Sequence, residues 1–306
     1  MSESSKTSLN KNYKTVNKVI DRFLLLAAII MLWACAADDM WLTANTPDYG
    51  FPTVVELYQE SNQSSTSQLP NTTQAMEYPN ISGYWLMKHT TYKASMLPVL
   101  QEEVTTKIEA TLLVEITQDN EQVIFNELVC DVFMLNEPGF GQMIIPDAFI
   151  QSLKQRTRKA TLFYTQNQTA DSNLLQMRSE RYEEFRGVNL NSFDDPMPAD
   201  KQVDSIIDAD QDGQPGLTVQ LIGFPEGDVY LIQKMWDRLL GNVVQEDLIQ
   251  GVIEWEDEQL FLGATNEALL IDMDRWIPGP AERHQFVMQR VDEMVCPARM
   301  PAPTVD

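Results

Sequence analysis

The chain has 306 residues, and its 45 acidic against 22 basic side chains give a formal net charge of −23 at pH 7. This charge argues against binding to nucleic acid or to anionic lipid, because both need clustered Lys and Arg. The apolar fraction of 43% is enough to bury a core, which excludes general disorder. Only two histidines occur, His89 and His284, and this argues against histidine-based zinc chemistry.

Residues 1–34 have the composition of a secretory signal peptide. A polar, basic stretch leads into an apolar run at residues 23–33, and small residues follow. The run has 11 residues, whereas about 20 are needed to cross the hydrocarbon layer of a membrane. We therefore expect an exported protein rather than one with a membrane-spanning helix at this position.

The apolar run ends in Leu32, Trp33, Ala34 and Cys35. This stretch resembles the signal of bacterial lipoproteins, in which the cysteine is lipidated and becomes the mature N-terminus; Trp33 departs from the pattern. The resemblance implies a Gram-negative envelope protein, held by lipid at Cys35 on the periplasmic face of the outer membrane. Ala34 and Ala36 also fit ordinary signal cleavage, which would give a secreted protein instead.

The chain has three cysteines, an odd number that needs an explanation in an exported protein. If Cys35 carries lipid, Cys130 and Cys296 remain as one pair in an oxidising compartment, and we expect a disulfide between them. The alternative is two buried free thiols.

The remaining chain divides by composition into three parts. Residues 35–79 are rich in Ser, Thr, Asn, Gln and Pro, and such sequence buries too little surface to offset the entropy of ordering. We expect a disordered tether there, a β-rich domain at residues 80–298 and a C-terminal tail at residues 299–306.

Beyond residue 80 the apolar pattern has a period of two. Residues 107–117 alternate over their whole length, and a turn at 119–121 leads to a strand at 122–135, which predicts a hairpin. One short helix is expected at 147–156 and a tight turn at Gly241 and Asn242. Further strands are predicted at 82–90, 141–145, 160–165, 217–223, 228–240, 242–255, 259–264, 268–273 and 284–292.

Many short strands with turn signals between them predict an all-β fold, an antiparallel barrel or a sandwich with one short helix. Gly83 and Trp85 lie in the first predicted strand and Arg290 in the last. These residues are similar to the calycin signature, a Gly-x-Trp whose indole packs against an arginine of the final strand. The resemblance implies a closed calycin-like barrel; a tryptophan serving only the core is the alternative.

One segment is strongly acidic. Seven aspartates lie in it: Asp194, Asp195, Asp200, Asp204, Asp208, Asp210 and Asp212. The part from residue 208 to 216 resembles the calcium loop shared by EF-hands, dockerins and thrombospondin-type repeats. The resemblance implies a calcium ion bound by Asp208, Asp210, Asp212 and the backbone carbonyl of Gln214, with Gly213 at the sharp turn.

The loop departs from an EF-hand at its end. The position of the closing glutamate is occupied by Val219, and no amphipathic helix flanks the loop. We therefore expect a structural calcium site, closed by an outside carboxylate such as Asp204 or Asp228, and not a sensor that opens on calcium. The alternative is a solvated acidic turn before a strand.

No sequence motif identifies a catalysed reaction. The chain lacks the Gly-x-Ser-x-Gly, Gly-x-x-x-x-Gly-Lys and His-Glu-x-x-His patterns of serine hydrolases, P-loop proteins and zinc proteases. The acids Glu254, Glu256, Asp257 and Glu258 around Trp255 indicate either a sugar subsite or a charged strand end.

The remaining charged and aromatic positions of this region follow the strand pattern. We expect Trp236 and Trp255 to face the core, and Asp237 and Arg238 to lie on a solvated face. The leading hypothesis is a non-catalytic envelope lipoprotein that binds a small ligand or a protein partner. The alternative is a secreted carboxylate-dependent hydrolase.

Overall fold

The computed structural model describes residues 77–97, 101–137, 142–153, 155–166, 173–201, 203–223, 225–270 and 273–298. The predicted signal peptide, Cys35, nearly all of the tether and the C-terminal tail lie outside these residues.

Strands dominate the described chain, together with one α-helix and two short 3-10 helices at Glu267–Leu269 and Ala281–Arg283. The strands are β1 (Gly83–Leu97), β2 (Glu102–Asp119), β3 (Gln122–Glu137), β4 (Gln142–Ile144), β5 (Arg156–Gln166), β6 (Asn173–Ser179), β7 (Tyr182–Arg186), β8 (Leu217–Ile222), β9 (Gly227–Gln245), β10 (Leu248–Ala264), β11 (Arg275–Trp276) and β12 (Gln285–Val291). Helix α1 is Asp147–Ser152.

Eight of these strands form a closed hydrogen-bonded ring that follows chain order: β1, β2, β3, β5, β6, β9, β10 and β12, which returns to β1. Every neighbouring pair in the ring is antiparallel. Strands β7 and β8 pair with β9, β4 pairs with β8, and β11 pairs with β1. The predicted all-β antiparallel fold is confirmed.

The β2–β3 hairpin forms as its alternation predicts. Leu112, Val114 and Ile116 are buried on one face of β2, and the two strands are joined by a turn at residues 120–121. Asn120 has φ of +54°, a left-handed conformation that asparagine tolerates better than most residues.

A β-bulge in this hairpin carries one cysteine of the disulfide. Thr111 pairs with Asp131 and Leu112 with Val129, so Cys130 is the extra residue of β3. Cys130 is bonded to Cys296, with 5.5 Å between the Cα atoms. The predicted disulfide is therefore present, and it fastens the chain after β12 to β3.

The predicted turn at Gly241 and Asn242 is wrong, because both residues lie inside β9 and the chain turns at residues 246–247. Gly241 pairs with Gly251 across the β9–β10 ladder. A Cβ atom on Gly241 would lie 2.7 Å from the ring of Phe286. The glycine thus permits close packing rather than a turn.

Other predicted boundaries also need correction. Helix α1 ends at Ser152 instead of residue 156, because Leu153 is extended and Arg156 already begins β5. Residues 267–269 form a 3-10 helix, so the strand predicted at 268–273 is wrong there, and residues 271–272 lie outside the described chain. Strands β6, β7 and β11 were not predicted.

Apolar side chains from all eight ring strands fill one part of the ring interior. They include Trp85, Leu112, Phe125, Leu162, Met177, Leu239, Ile249, Phe286 and Met288. A smaller apolar cluster packs helix α1 against β8 and β9 through Phe149, Leu217 and Leu231.

Arg290 joins three segments at one end of the ring. It pairs with Trp85 in the β1–β12 ladder, and its guanidinium carbon lies 4.6 Å from the centre of the indole ring. The guanidinium also donates to the carbonyls of Ser82 (2.6 Å) and Glu246 (3.1 Å). Arg290 therefore connects β12 to the start of β1 and to the β9–β10 turn.

We expect Gly83→Ala to lower the free energy of unfolding by about 1–3 kcal/mol, measured by urea denaturation. Gly83 has φ of +132°, and an added Cβ would lie 2.7 Å from Nη1 of Arg290. Gly263→Ala is the matched control, because its Cβ would meet only an ordinary contact, 3.4 Å from Tyr230. Equal stability of the two variants would contradict the prediction.

Candidate functional site

A cleft of about 420 Å³ lies where β1 and β10 separate. Strand β12 bridges these two strands only as far as Thr90 on β1 and Val252 on β10. Beyond that point β1 pairs with β11, through Ala94 and Trp276. Apolar side chains lining the cleft are Trp236, Trp255, Trp276 and Ile277, and charged ones are Lys93, Glu256, Asp257 and Arg275. We call these eight residues the tryptophan cleft.

Hydrogen bonds hold two of the three indoles in place. Nε1 of Trp236 donates to Oε2 of Glu256 at 3.0 Å, and Nε1 of Trp255 donates to Nδ1 of His284 at 3.1 Å. Trp276 is 36% exposed, a large fraction for this side chain. Trp255 packs against the apolar core, as predicted, and it also lines the cleft together with Trp236.

His284 is a positioning residue behind the cleft. Its Nδ1 accepts from the backbone N–H of Tyr92 (3.2 Å) as well as from Trp255, so the proton is on Nε2, which donates to the carbonyl of Pro278 (3.0 Å). Burial lowers the pKa of His284, which keeps the ring neutral. His284 thus fixes the indole of Trp255.

The acid Asp257 connects the cleft to the ring interior. One of its oxygens forms an ion pair with Lys93, and the other accepts from Nε2 of Gln233 at 2.9 Å. The carbonyl oxygen of the Gln233 side chain accepts from Nη1 of Arg186 at 3.0 Å. The position of Asp257 is therefore fixed by Lys93 at one carboxylate oxygen and by Gln233 at the other.

Arg186 belongs to a buried network of three arginines and three acids. Glu184 contacts Arg186 and Arg156, each at 2.8 Å, and Arg156 lies 3.7 Å from Asp237. Arg158 also pairs with Asp237.

Arg158, on β5, extends this network to Glu127 on β3. Its Nε lies 2.6 Å from Oε1 of Glu127, and its Nη2 donates to Oε2 at 2.9 Å. The formal charges of the six residues cancel, as burial of ions requires. Asp237 is only 3% exposed, so its predicted solvated position is wrong, whereas its neighbour Arg238 forms a partly exposed pair with Glu254.

His89 is buried beside this network. Burial lowers the pKa of His89 to about 3; Asp237 acts in the opposite direction, and the charges of Arg158 and Arg156 lower the pKa further. The imidazole is therefore neutral at physiological pH.

The acidic loop brings three of its predicted ligands together. Asp208, Asp210 and Asp212 each offer one carboxylate oxygen, and these oxygens lie within 4.8 Å of one another. Gly213 has φ of +87°, as a sharp turn requires. Asp208 accepts from the backbone N–H groups of Asp212 (3.2 Å) and Gly213 (2.9 Å), which curls the chain around its carboxylate.

Asp210 is the buried member of this cluster. Its Oδ2 accepts from the backbone N–H of Thr218 at 2.9 Å, while its buried Oδ1 has no hydrogen-bond partner within the described chain. Burial raises the pKa of the Asp210 carboxyl, and the charges of Asp212 and Asp208 raise it further.

The two predicted closing carboxylates, Asp204 and Asp228, are not part of this cluster. Asp204 is exposed in a turn upstream of the loop, and Asp228 lies in β9. The backbone N–H of Gln214 donates to Asp212 at 2.8 Å, and the role of its carbonyl as a calcium ligand stays a prediction. Cys35, the predicted lipidation site, lies outside the described residues.

Comparison with known proteins gives no family assignment: no protein-family model, no curated protein and no solved structure matches the chain. Within the described residues, the helices are too short or too polar to span a membrane. The functional argument therefore rests on the geometry of this chain alone.

We expect His89 to make the folded state less stable in acid. The unfolded chain binds a proton at this histidine below about pH 6.5, whereas the folded chain binds one only near pH 3. The free energy of unfolding should fall by about 1.4 kcal/mol for each pH unit between pH 6 and pH 4 on this account.

The measurement is urea unfolding at pH 7, 6, 5 and 4 for the wild type and for His89→Gln, which does not titrate. The variant removes only the contribution of His89, since the carboxylates titrate in both proteins. The same pH dependence in both proteins would show that His89 is protonated in the folded state or is not buried.

Proposed function

We propose that residues 80–298 form a non-catalytic domain of an exported lipoprotein and that this domain binds a small ligand in the tryptophan cleft. The observation that carries the proposal is the convergence of three indoles and four charged side chains on one cleft of about 420 Å³. Small-molecule sites are clefts of about 300–1,000 Å³ with aromatic walls and a few placed polar groups.

The packing of the ring interior supports this location. A hollow barrel would hold its ligand among apolar side chains inside the ring. Here the apolar layer around Trp85 and Phe286 and the ionic network around Arg158 occupy that space. The cleft beside β10 is therefore the better place for a ligand.

The arrangement of the carboxylates favours binding over hydrolysis. A glycosidase needs two carboxyl groups about 5–10 Å apart that face each other across the scissile bond. Glu256 and Asp257 are successive residues of β10, and successive side chains of a strand point to opposite faces. Glu256 also accepts from Trp236, and Asp257 is paired with Lys93. A carboxylate-dependent hydrolase is thus the less supported candidate.

Export is supported by the disulfide between Cys130 and Cys296, because such bonds persist in oxidising compartments. With these two cysteines joined, Cys35 is the one cysteine of the sequence left for lipid. We propose an envelope location in which lipid at Cys35 anchors the domain.

A structural calcium ion at the acidic loop is a further part of the proposal. Oxygens within 4.8 Å of one another fit one ion, since Ca²⁺ binds oxygens at about 2.3–2.6 Å. The unpartnered, buried Oδ1 of Asp210 supports this site, because a buried carboxylate oxygen is costly without a donor or a cation. Asp208 and Asp212 would complete the carboxylate set.

The binding function is tested by a thermal-shift screen of a chemically diverse metabolite library against the full chain. We expect ligands to raise Tm of the wild type by about 2–5 °C and to leave Trp276→Ala unchanged. Tyr84→Ala is the matched control, because Tyr84 is 37% exposed and lies outside the cleft. A screen without ligands, or ligands that stabilise all three proteins equally, contradicts the proposed site.

Calcium is expected to raise Tm by about 2–8 °C, and EDTA should reverse the shift. Asp210→Asn should abolish the calcium response, because it removes the buried negative charge of the cluster. Asp194→Asn, an exposed acid of the same segment, should retain the response. A melting curve that does not respond to calcium leaves a solvated turn as the correct interpretation.

Lipidation is tested by labelling bacteria that express the full chain with a radioactive fatty acid. We expect the label on the wild type and on Cys296→Ser, but not on Cys35→Ser. A labelled Cys35→Ser protein, or an unlabelled wild type, would refute the anchor.

A further inference from the structure

The polar groups of the tryptophan cleft restrict the chemistry of its ligand. Lys93 and Arg275 bring two positive charges, and Glu256 and Asp257 bring two negative ones, so the lining is formally neutral. An anion gains little from such a lining and is repelled by a protein of net charge −23. A purely apolar ligand would cover these charged groups without replacing their hydrogen bonds to water.

A cation is also disfavoured at this position. Aromatic side chains with a nearby carboxylate hold quaternary ammonium groups in other proteins. In this cleft, however, Lys93 is buried against Asp257, with 12% of its side chain exposed, and its charge faces the same space. Arg275 is held over the ring of Phe261, with 4.4 Å between the guanidinium carbon and the ring centre.

The aromatic surface favours a ligand with a flat apolar face. Trp276 is 36% exposed at the cleft, and the indoles of Trp236 and Trp255 are fixed by their hydrogen bonds before any ligand arrives. Rings that are already fixed lose little conformational entropy on binding. A ligand that covers such surface and also has many neutral hydroxyl groups can donate to Glu256 and accept from Lys93.

A sugar fits these three features together. It is neutral, it both donates and accepts hydrogen bonds, and it has a flat apolar face for the indoles. We infer that the tryptophan cleft binds a neutral carbohydrate, with one sugar ring against Trp276 and its hydroxyl groups at Lys93 and Glu256. This inference rests on the proposed function, since it specifies the class of ligand for the same cleft.

The test is a glycan array of neutral mono- and oligosaccharides probed with the full chain, followed by calorimetric titration of the best ligand. Trp276→Ala should weaken binding of that saccharide by about tenfold or more, a loss of stacking surface. Trp276→Phe should retain most of the affinity, because it keeps an aromatic face. Tyr84→Ala, with equal exposure outside the cleft, should bind as the wild type does.

Choline and inorganic phosphate are titrated in parallel as a cationic and an anionic probe. Saccharide binding that depends on Trp276 supports the inference. Binding of choline or phosphate without any saccharide, again lost in Trp276→Ala, overturns the carbohydrate inference and leaves the binding function of the cleft intact. If no saccharide, choline or phosphate binds and the thermal-shift screen finds no ligand, both the carbohydrate inference and the proposed binding function are overturned.

Discussion

The fold depends on the mutual neutralisation of charges inside a closed ring. Arg158 pairs with Glu127 and Asp237, and these three residues come from β5, β3 and β9. Loss of one member leaves an unpaired buried charge, at a cost of about 3–5 kcal/mol. A shift of β5 by one residue would turn Arg158 to the outside, so the charge pairs suit only the observed register.

The same network extends from the interior to the tryptophan cleft. Glu184 joins the arginines of the network, and Arg186 connects them through Gln233 to Asp257 on the cleft floor. On the other side, His284 fixes Trp255. The cleft walls are thus held by groups whose own positions are determined by burial, and this is the condition for a site that is formed before its ligand arrives.

Local patterns predict the parts of the structure that depend on local interactions. Alternation identifies the β2–β3 hairpin, and the spacing of Asp208, Asp210 and Asp212 indicates that they meet. Charge alone predicts a solvated Asp237, although Leu239 shares its strand face and is buried, and the sequence does not show which arginines neutralise the buried acid. The acids around Trp255 are the one sequence signal near the cleft. The cleft itself depends on where β12 stops bridging β1 and β10, and this is a property of the tertiary structure.

Closure of the ring by β12 sets the order in which the protein can fold. Arg290 bonds to Ser82 across 208 residues, and the disulfide closes over 166 residues. Contacts of such long range form slowly, because much of the chain must be ordered before they are made. Until β12 has been synthesised, β1 and β10 lack the strand that joins them. The domain therefore completes its fold only after its last strand has left the ribosome.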